Sequence, residues 1–327
     1  MIAAQLEILD LRHFSAHQLR PLLEREARMW KARLRWDYDS SVELLLKYLD
    51  SRILPGFVAL DRGRVSGFTF CVYEGHKAVV GDAFSIGQDA GQSLQFTNRL
   101  LSHLLELLTH SPDIERIESQ MLLYDVGEIE QSFVAAGFAL YPRLFMEYDL
   151  TAPIGLVMES SINDVIMDGV EVVGWAAAHY QAAAELIHAS YANHIDASIN
   201  DQYRSLHGSL RFLHNIVRFP GCGVFEAGAS WVLRDRVSGA LVGMVLCSRV
   251  AVDVAHITQI CIGEPYRGRG LGRALLRHCV GHLAQAGFSA ITLTVTEQNQ
   301  PAVSLYEELG FCTRHRFHAM VLDKKRG

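Results

Sequence analysis

The chain has 327 residues, which is enough for about two domains. Its residues are 50% hydrophobic and 20% charged, and this composition excludes a disordered, fibrous or low-complexity protein. The net charge of −6 gives no general attraction to nucleic acid or to an anionic membrane surface, so we expect neither as a partner.

The first half is predicted to form one or two helices, a β-meander, a helix, a strand, a helix and closing strands. A tight turn at 61–67 separates two apolar segments, as expected of neighbouring strands. Residues 151–168 then contain Pro153, Gly155 and a polar run, which break regular structure. We therefore expect one domain over residues 1–150 and a second over residues 169–327.

The second half is predicted to have a similar order of elements. Strands are predicted at 170–174, in two or three segments within 231–262, at 290–296 and, as a strand or hairpin, at 311–322. Helices are predicted at 176–193, at 273–286 before Gly287, and from Pro301 to Gly310. The predicted fold class is α+β, with a mixed sheet covered by helices.

The two halves also resemble each other in sequence. The turn at Arg64 matches the turn at Arg236, 172 residues later, and Gly137 matches Gly310 at an offset of 173 residues. Two matches at nearly one offset indicate a duplicated domain rather than a solenoid.

The six cysteines form no C-x-x-C pair and mostly lie in apolar runs. They are predicted to be buried thiols in a reducing compartment, and no metal site is expected. No stretch approaches the ~20 apolar residues of a membrane span. The first residues include acids and no long apolar run, which argues against a signal peptide. A cytoplasmic location is the resulting expectation.

The segment from Pro265 to Leu276 carries the strongest chemical signal. It follows an apolar strand, opens a helix and contains three glycines that allow a ligand to approach the backbone closely. The first amides of a helix have no internal partner and lie at the positive end of the helix dipole, so a phosphate group fits this point. The spacing of the glycines excludes the Walker and dinucleotide-binding patterns.

The loop Arg267-Gly-Arg-Gly270-Leu-Gly272 resembles the Gln/Arg-x-x-Gly-x-Gly/Ala pyrophosphate loop of the GNAT acetyltransferase superfamily. Downstream, the segment from Asn299 to Phe311 resembles the family's Asn…Ala-x-x-Leu-Tyr-x-x-x-Gly-Phe signature. The resemblance is specific over residues 230–323 and weaker upstream to residue 169. It implies two tandem GNAT-like domains, each a mixed, mostly antiparallel sheet flanked by helices.

The resemblance also implies that acetyl-CoA, as a co-substrate, lies between two parallel strands that splay apart. Its pantetheine arm would pair with the strand before the loop, its pyrophosphate would bind the loop, and Asn299 would contact the pantetheine arm or an ordered water. The cofactor-binding residues implied in this way are Cys261, Ile262, Arg267, Gly268, Arg269, Gly270, Leu271, Gly272, Arg273 and Asn299.

For catalysis, the resemblance implies direct attack of an amine on the thioester. Tyr306 matches the family's tyrosine acid, and a phenol of ordinary pKa is protonated at pH 7. His256 lies eleven residues before Arg267, an interval that matches the glutamate base of the histone-acetyltransferase branch. A neutral histidine suits proton abstraction, whereas the alternative, Gln259, can only position a water. The competing interpretation of both Tyr306 and His256 is a structural role.

The first half is interpreted as a copy that has lost its cofactor loop. When the helix at 99–108 is aligned with 274–283, the loop positions fall at 92–97, where no Gly-x-Gly occurs. A shifted fit at 88–93 keeps only one glycine, Gly91, and adds an acid, so both fits are poor for a phosphate group. The position of Tyr306 is taken by Phe133, which has no hydroxyl group. We therefore expect residues 1–150 to be non-catalytic.

A polar segment from Asn193 to Arg204 lies where the family's first helices line the acceptor site. Asp196, Asp201 and Tyr203 are candidates for binding a cationic acceptor, and the competing interpretation is a set of helix caps in a solvated loop.

The expected function is transfer of an acetyl group from acetyl-CoA to a primary amine of a small molecule or peptide. One alternative acceptor is a protein lysine or N-terminus. An alternative of another class is a non-catalytic acyl-CoA sensor or scaffold. We expect either a monomer whose two domains form an intramolecular pseudo-dimer or a homodimer.

Overall fold

The computed structural model describes residues 6–151, 169–218 and 223–324. The chain forms two compact units, a first unit of Met1–Arg143 with Arg316–Gly327 and a second unit of Leu144–His315. The domain boundaries predicted from the sequence were residue 150 for the end of the first domain and residue 169 for the start of the second. Most of the linker predicted between them lies outside the described residues.

The first unit has a mixed sheet with helices. Its elements are β1 (Glu7–Asp10), α1 (Ala16–Leu34), α2 (Asp39–Asp50), β2 (Gly56–Asp61), β3 (Arg64–Glu74), β4 (Lys77–Ser85), α3 (Ala90–His110), β5 (Arg116–Gln120) and α4 (Glu130–Ala135). Strand β6 (Ala139–Asp149) begins in this unit and continues into the second. The strand order is β1-β2-β3-β4-β5, and only β4 and β5 run parallel.

The end of the chain completes the sheet of the first unit. Strand β13 (Cys312–Asp323) pairs antiparallel with β5, from Ala319 opposite Gln120 to Asp323 opposite Arg116. This pairing places Arg316–Gly327 in the first unit, although the sequence assigns the whole segment to the second domain.

The second unit contains the remaining elements. They are β7 (Val170–Gly174), α5 (Tyr180–Tyr191), α6 (Asp196–Ile199), α7 (Leu206–Arg218), β8 (Val224–Phe225), β9 (Trp231–Asp235), β10 (Leu241–Ala251), β11 (Val254–Ile262), α8 (Leu271–Gln285), β12 (Ala290–Thr296) and α9 (Gln300–Glu308). The strand order is β6-β12-β11-β10-β9-β7, with β8 also paired to β10.

Strands β11 and β12 are parallel, and their hydrogen-bonded ladder ends before either strand does. Their ladder runs from Val254 opposite Ala290 to Ile257 opposite Leu293. Beyond that pair β11 continues to Ile262, so its last residues leave the ladder and open a gap beside β12. The gap lies at the carboxyl ends of the two strands, next to the start of α8.

The two units repeat one strand pattern. The antiparallel pair β3–β4 has a register shift between Phe70 and Cys71, and the pair β10–β11 has one between Leu246 and Cys247. Each pair is followed by a four-residue parallel ladder, β4 with β5 and β11 with β12. This agreement in register extends the sequence duplication to the backbone.

Helix α8 is held by its apolar face. Leu275, Leu276, Cys279 and Leu283 recur at helical spacing, are buried, and belong to one core cluster with sheet residues such as Val245. This packing fixes the start of α8 at the end of β11. No helix among the described residues is both long and apolar enough to cross a bilayer.

Candidate functional site

The glycines of the loop before α8 adopt a conformation that other residues avoid. Gly268 has φ of +75° and Gly270 has φ of +76°, and a Cβ atom at either position would meet nothing within 4 Å. The requirement for glycine there is therefore conformational rather than steric. Gly270 is the N-cap of α8 and provides no side-chain cap, so the first amides of this 15-residue helix are open.

Open amides at a helix N-terminus form an anion site, because they add hydrogen-bond donors to the positive end of the dipole. The site opens on a cavity of about 610 Å³. Its walls are the end of β11, the glycine loop, the first turn of α8, the end of α5 and the first turns of α9.

Nine of the ten residues predicted to bind the cofactor line this cavity: Cys261, Ile262, Arg267, Gly268, Gly270, Leu271, Gly272, Arg273 and Asn299. The tenth, Arg269, is not in the lining, and its guanidinium lies 5.1 Å from the ring centre of Tyr266. The structure thus brings the loop, the strand end and Asn299 together, as the resemblance implies.

The arginines of the loop differ in what they do. Arg267 donates hydrogen bonds to the carbonyl oxygens of Ile262 and Ser190, both at 3.0 Å, and so ties the loop to β11 and α5. Arg273 forms an ion pair with Glu308 of α9. Both guanidinium groups are therefore held in place, and each keeps further N–H donors in the lining of the cavity that the open amides of α8 also face.

Residues 194–311 match the model of the Acetyltransferase (GNAT) family. This segment belongs to the GNAT family. Two curated relatives that match part of this chain are named acetyltransferases.

The ribosomal protein bS18-alanine N-acetyltransferase of Escherichia coli (strain K12) is 39% identical over 64 residues, which are 20% of this chain and 43% of that enzyme. The mycothiol acetyltransferase of Corynebacterium efficiens is 34% identical over 76 residues, which are 23% of this chain and 26% of that enzyme. The chain therefore spans less than half the length of the curated relatives that it matches.

A tandem GNAT protein from the clavulanic acid biosynthesis pathway has the same fold. It covers 99% of this chain and 100% of its own, with a TM-score of 0.60 and 14% identity. At this identity the likeness concerns the fold alone. The predicted α+β class and the tandem GNAT arrangement are confirmed.

Tyr306 of the GNAT signature lies in the cavity wall and is 6% exposed. Burial raises the pKa of its phenol well above the ordinary value, and the negative charge of Asp196 raises it further. The hydroxyl is therefore protonated at neutral pH and can donate a proton into the cavity. Whether it acts as the acid remains a prediction.

His256 is placed differently from Tyr306. It is 5% exposed and does not line the cavity. Its Nδ1 lies 2.9 Å from Oγ1 of Thr292, and its ring lies against Phe145 with the ring centres 6.1 Å apart. Thr292 gives its hydroxyl proton to the carbonyl of Ala255, so Nδ1 of His256 is the donor to Thr292.

The predicted acceptor residues lie behind the cavity wall. Asp196 accepts a hydrogen bond from the hydroxyl of Thr296. Tyr203 donates to Oε1 of Gln259 at 3.3 Å and stacks on Tyr191, with ring centres 4.3 Å apart. Asp201 begins a short 3-10 turn. None of the three predicted residues lines the cavity, although Asp196 and Tyr203 contact residues that do.

Among the lining residues that were not predicted as site residues, Tyr191 and His194 carry polar aromatic side chains. Tyr191, the last residue of α5, donates its hydroxyl to the carbonyl of Ile260 at 3.3 Å, and His194 follows three residues later. The sequence pattern around these two residues is a polar and aromatic cluster at the end of a helix. This pattern is also typical of an ordinary solvated loop, so it did not identify them as site residues.

The corresponding helix start in the first unit is closed. Asp89 caps α3 by accepting from the backbone N–H of Gln92 at 2.8 Å, and the side chain of Gln92 accepts from Gln88 at 2.6 Å. An amide of the first turn of α3 therefore already has a carboxylate acceptor, whereas α8 has no side-chain cap. Phe133, in the position of Tyr306, is fully buried.

The described residues contain no group of three histidine, cysteine, aspartate or glutamate side chains that could hold a metal ion.

Proposed function

We propose that the second unit is an acetyl-CoA-dependent N-acetyltransferase that transfers the acetyl group to a primary amine of a small molecule or peptide. The observation that carries this proposal is the uncapped start of α8 at Gly270, which opens on the same cavity as Tyr306. One end of the cavity suits a phosphate group, and its wall contains a protonated phenol.

The backbone around the cavity supports acetyl-CoA as the donor. The open amides of α8 would bind the pyrophosphate, helped by the charges of Arg267 and Arg273. The last residues of β11, Cys261 and Ile262, lie past the end of the β11–β12 ladder, and this stretch of strand edge has no strand partner on the β12 side, which favours pairing with an extended amide chain. The pantetheine arm of CoA is such a chain.

The transfer itself needs a neutral amine and a leaving group that can be protonated. The amine nitrogen attacks the thioester carbonyl carbon, the carbon–sulfur bond breaks, and the sulfur takes a proton from Tyr306. The attacking nitrogen loses a proton as the amide forms, and this proton restores the phenol. The buried phenol holds its proton until then, because its raised pKa disfavours ionisation in the free enzyme.

Acetylation of a protein N-terminus is a second candidate, and the match to an enzyme named for acetylating an alanine of a ribosomal protein favours it. A non-catalytic acyl-CoA sensor is the candidate of another class. The presence of Tyr306 and Asn299 in the cavity wall counts against the sensor, because binding the donor alone requires no buried acid.

The proposal is tested by incubating the full chain with acetyl-CoA and a panel of amines: a polyamine, an amino sugar, a peptide with an N-terminal alanine and a protein substrate with exposed lysines. Release of CoA thiol together with an acetylated product, identified by mass, supports the transferase and indicates the acceptor class. Tight binding of acetyl-CoA without release of thiol favours the sensor. No binding contradicts all three candidates.

A further inference from the structure

The cavity of the second unit ends at Ile260. Of the nine residues of β11, only the last three line the cavity, and no residue of β12, which the structure describes throughout, does so. The β11–β12 ladder stops at Ile257, so the gap between the two strands begins before the cavity lining does. A side chain from another element therefore closes the cavity at Ile260.

Tyr191 is that side chain. It lines the cavity, and its hydroxyl donates a hydrogen bond to the carbonyl oxygen of Ile260 at 3.3 Å. Its ring stacks on Tyr203, with ring centres 4.3 Å and ring planes 16° apart. His194 stands edge-on to the same ring, with ring centres 5.2 Å apart. The hydrogen bond and the two ring contacts together fix the position of Tyr191 in the cavity wall.

The ring on which Tyr191 stacks is held in turn. Tyr203 is 9% exposed, donates its hydroxyl to Oε1 of Gln259 at 3.3 Å, and meets Phe212 edge-on with ring centres 5.0 Å apart. Its backbone carbonyl lies 3.2 Å from Nδ1 of His188. Because close-packed side chains leave little free volume, Tyr191 cannot move back without displacing a buried and hydrogen-bonded ring.

The first unit shows which way the carbonyl of Ile260 faces. The register shifts of the two antiparallel strand pairs match Ala83 of β4 to Ile260 of β11. The carbonyl of Ala83 accepts from the hydroxyl of Tyr124 at 2.6 Å, and Tyr124 follows β5, the strand on the far side of the gap. By this match the carbonyl of Ile260 faces the gap beside β12, and the hydroxyl of Tyr191 reaches into that gap.

The proposed function places the acyl group of the donor against Tyr191. With its pyrophosphate at the start of α8, the donor would extend along the end of β11 from Ile262 toward Ile260, and its acyl group would come last. An acetyl group has a single methyl group beyond the thioester carbonyl, whereas propionyl and butyryl groups have one and two further methylene groups. These additional groups need the space that the ring of Tyr191 already fills.

We propose that Tyr191 is the residue that determines acyl-chain length and restricts the donor to acetyl-CoA. This inference rests on the binding of acyl-CoA in the proposed function. Extra methylene groups against a filled wall force a packed side chain to shift, and such overpacking lowers affinity by ~5-fold to ~150-fold. Removal of the ring leaves space beside Tyr203 in which longer acyl chains bury their methylene groups.

The test compares CoA, acetyl-CoA, propionyl-CoA and butyryl-CoA by calorimetry on the full chain. Free CoA has no acyl group, so its affinity reports on the rest of the donor site. In the wild type we expect propionyl-CoA to bind ~5-fold more weakly than acetyl-CoA, and butyryl-CoA at least ~30-fold more weakly. In Tyr191→Ala we expect butyryl-CoA to bind within about threefold of acetyl-CoA, while the affinity for free CoA changes by less than about threefold.

Two further variants separate the ring of Tyr191 from its hydroxyl. Tyr191→Phe keeps the ring and its stacking on Tyr203, so the order of affinities should remain that of the wild type. Tyr191→Leu leaves a smaller apolar side chain and should bind propionyl-CoA as well as acetyl-CoA, which provides the test if Tyr191→Ala binds no CoA. The matched control is Tyr180→Ala, in the same helix but outside the cavity lining, where the hydroxyl donates to the carbonyl of Leu210 at 3.3 Å. It should keep the wild-type order.

The proposed role of Tyr191 and the proposed function fail in different ways. Equal affinities of the wild type for acetyl-CoA and butyryl-CoA overturn the role of Tyr191, and so does a wild-type order in Tyr191→Ala or Tyr191→Leu protein that binds CoA. A widened acyl range in Tyr180→Ala overturns it as well. A wild type that binds neither CoA nor acetyl-CoA overturns both proposals. The expected order of affinities without thiol release in the amine panel supports the role of Tyr191 and contradicts the transferase.

Discussion

The carboxylate of Asp89 accepts a hydrogen bond from the backbone N–H of Gln92 at 2.8 Å and so closes the start of α3. At the matching place in the second unit, Gly270 leaves the start of α8 open. The same duplicated pattern of strands thus presents a capped helix in one copy and an uncapped one in the other. Because a bound phosphate and a capping carboxylate use the same amides, we expect an anion to bind at the start of α8 rather than at the start of α3.

This contrast predicts one acetyl-CoA per chain, bound at Gly270. Gly270→Glu brings a carboxylate to the start of α8, where it would occupy the amides and repel the pyrophosphate. We expect the affinity for acetyl-CoA, measured by calorimetry, to fall ~100-fold or more, which corresponds to ~2.7 kcal/mol.

The control for Gly270→Glu is Gly239→Glu, in the turn between β9 and β10. Gly239 has φ of +72°, and a Cβ atom at this position would meet nothing within 4 Å. The glutamate therefore has the same room and the same backbone strain of ~1–2 kcal/mol as at Gly270. The control should lose stability and keep its affinity. Equal affinities in all three proteins, or two sites in the wild type, would contradict the assignment.

Tyr306→Phe is expected to separate binding from chemistry. The ring stays packed against Phe311, so acetyl-CoA affinity should be nearly unchanged, whereas kcat should fall ~100-fold or more because the sulfur loses its proton donor. Steady-state kinetics with the best acceptor of the amine panel measure kcat for the wild type and for Tyr306→Phe. Tyr180→Phe removes a hydroxyl that donates to Leu210 outside the cavity lining and should leave kcat unchanged. A full-rate Tyr306→Phe enzyme would remove Tyr306 from the mechanism.

The sequence predicts several elements of the second unit well, because the patterns that identify them lie within a few residues of each other. The alternation at 290–296 predicts β12 with the residues that the structure has, and Gly287 follows the end of α8 as expected. The glycine pattern and Asn299 also predict the cavity wall, because a loop between a strand and a helix fixes where its neighbours lie.

Features that depend on contacts distant in sequence could not be predicted in this way. The last strand pairs with β5, some 200 residues earlier, and nothing in its own composition identifies that partner. The placement of His256 depends on Thr292 of β12, and that of His194 on a turn whose residues are equally typical of a solvated loop. Spacing along the chain therefore favoured His256 as the candidate base, whereas the histidine that lines the cavity is His194.

The cysteines should differ sharply in reactivity. Cys312 is exposed, whereas burial raises the pKa of Cys71 to about 11 and that of Cys261 to about 12. Cys247 lies with its sulfur 3.5 Å from that of Cys279, and this neighbour together with burial raises its pKa as well. Thiolates are the reactive form, so these buried thiols should be inert.

Iodoacetamide at pH 8, followed by peptide mapping with mass spectrometry, is expected to label Cys312 at least ~100-fold faster than Cys71, Cys247, Cys261 and Cys279. Labelling of all five at similar rates in denaturant is the control for intrinsic reactivity. Rapid native labelling of Cys261 would show that the cavity exposes this thiol, which its 8% exposure opposes.

Glu26 and Asp82 are buried together in the first unit, at 0% and 6% exposure. Removal from water raises the pKa of Glu26 well above its usual range, and the charge of Asp82 raises it further, while burial also raises the pKa of Asp82. Trp30 donates to Oε1 of Glu26 at 3.2 Å. The pair therefore keeps at least one proton at a pH where the unfolded chain has released both.

This extra proton in the folded state makes stability fall as pH rises. Between the unfolded glutamate pKa of ~4.3 and the raised folded value, the free energy of unfolding should drop by up to ~1.4 kcal/mol per pH unit for the one proton. Glu26→Gln stays neutral at every pH, so the variant should lose less stability than the wild type between pH 5 and pH 8 and should be the more stable protein at pH 8.

Denaturant unfolding at several pH values measures the slopes, and hydrogen exchange of the α1 amides assigns the change to the first unit. Glu24→Gln, on the same helix but half exposed, is the matched control and should shift the free energy of unfolding by less than ~0.5 kcal/mol at any pH. Parallel slopes for the wild type and Glu26→Gln would show that the buried pair is ionised in the folded protein, contrary to what its desolvation requires.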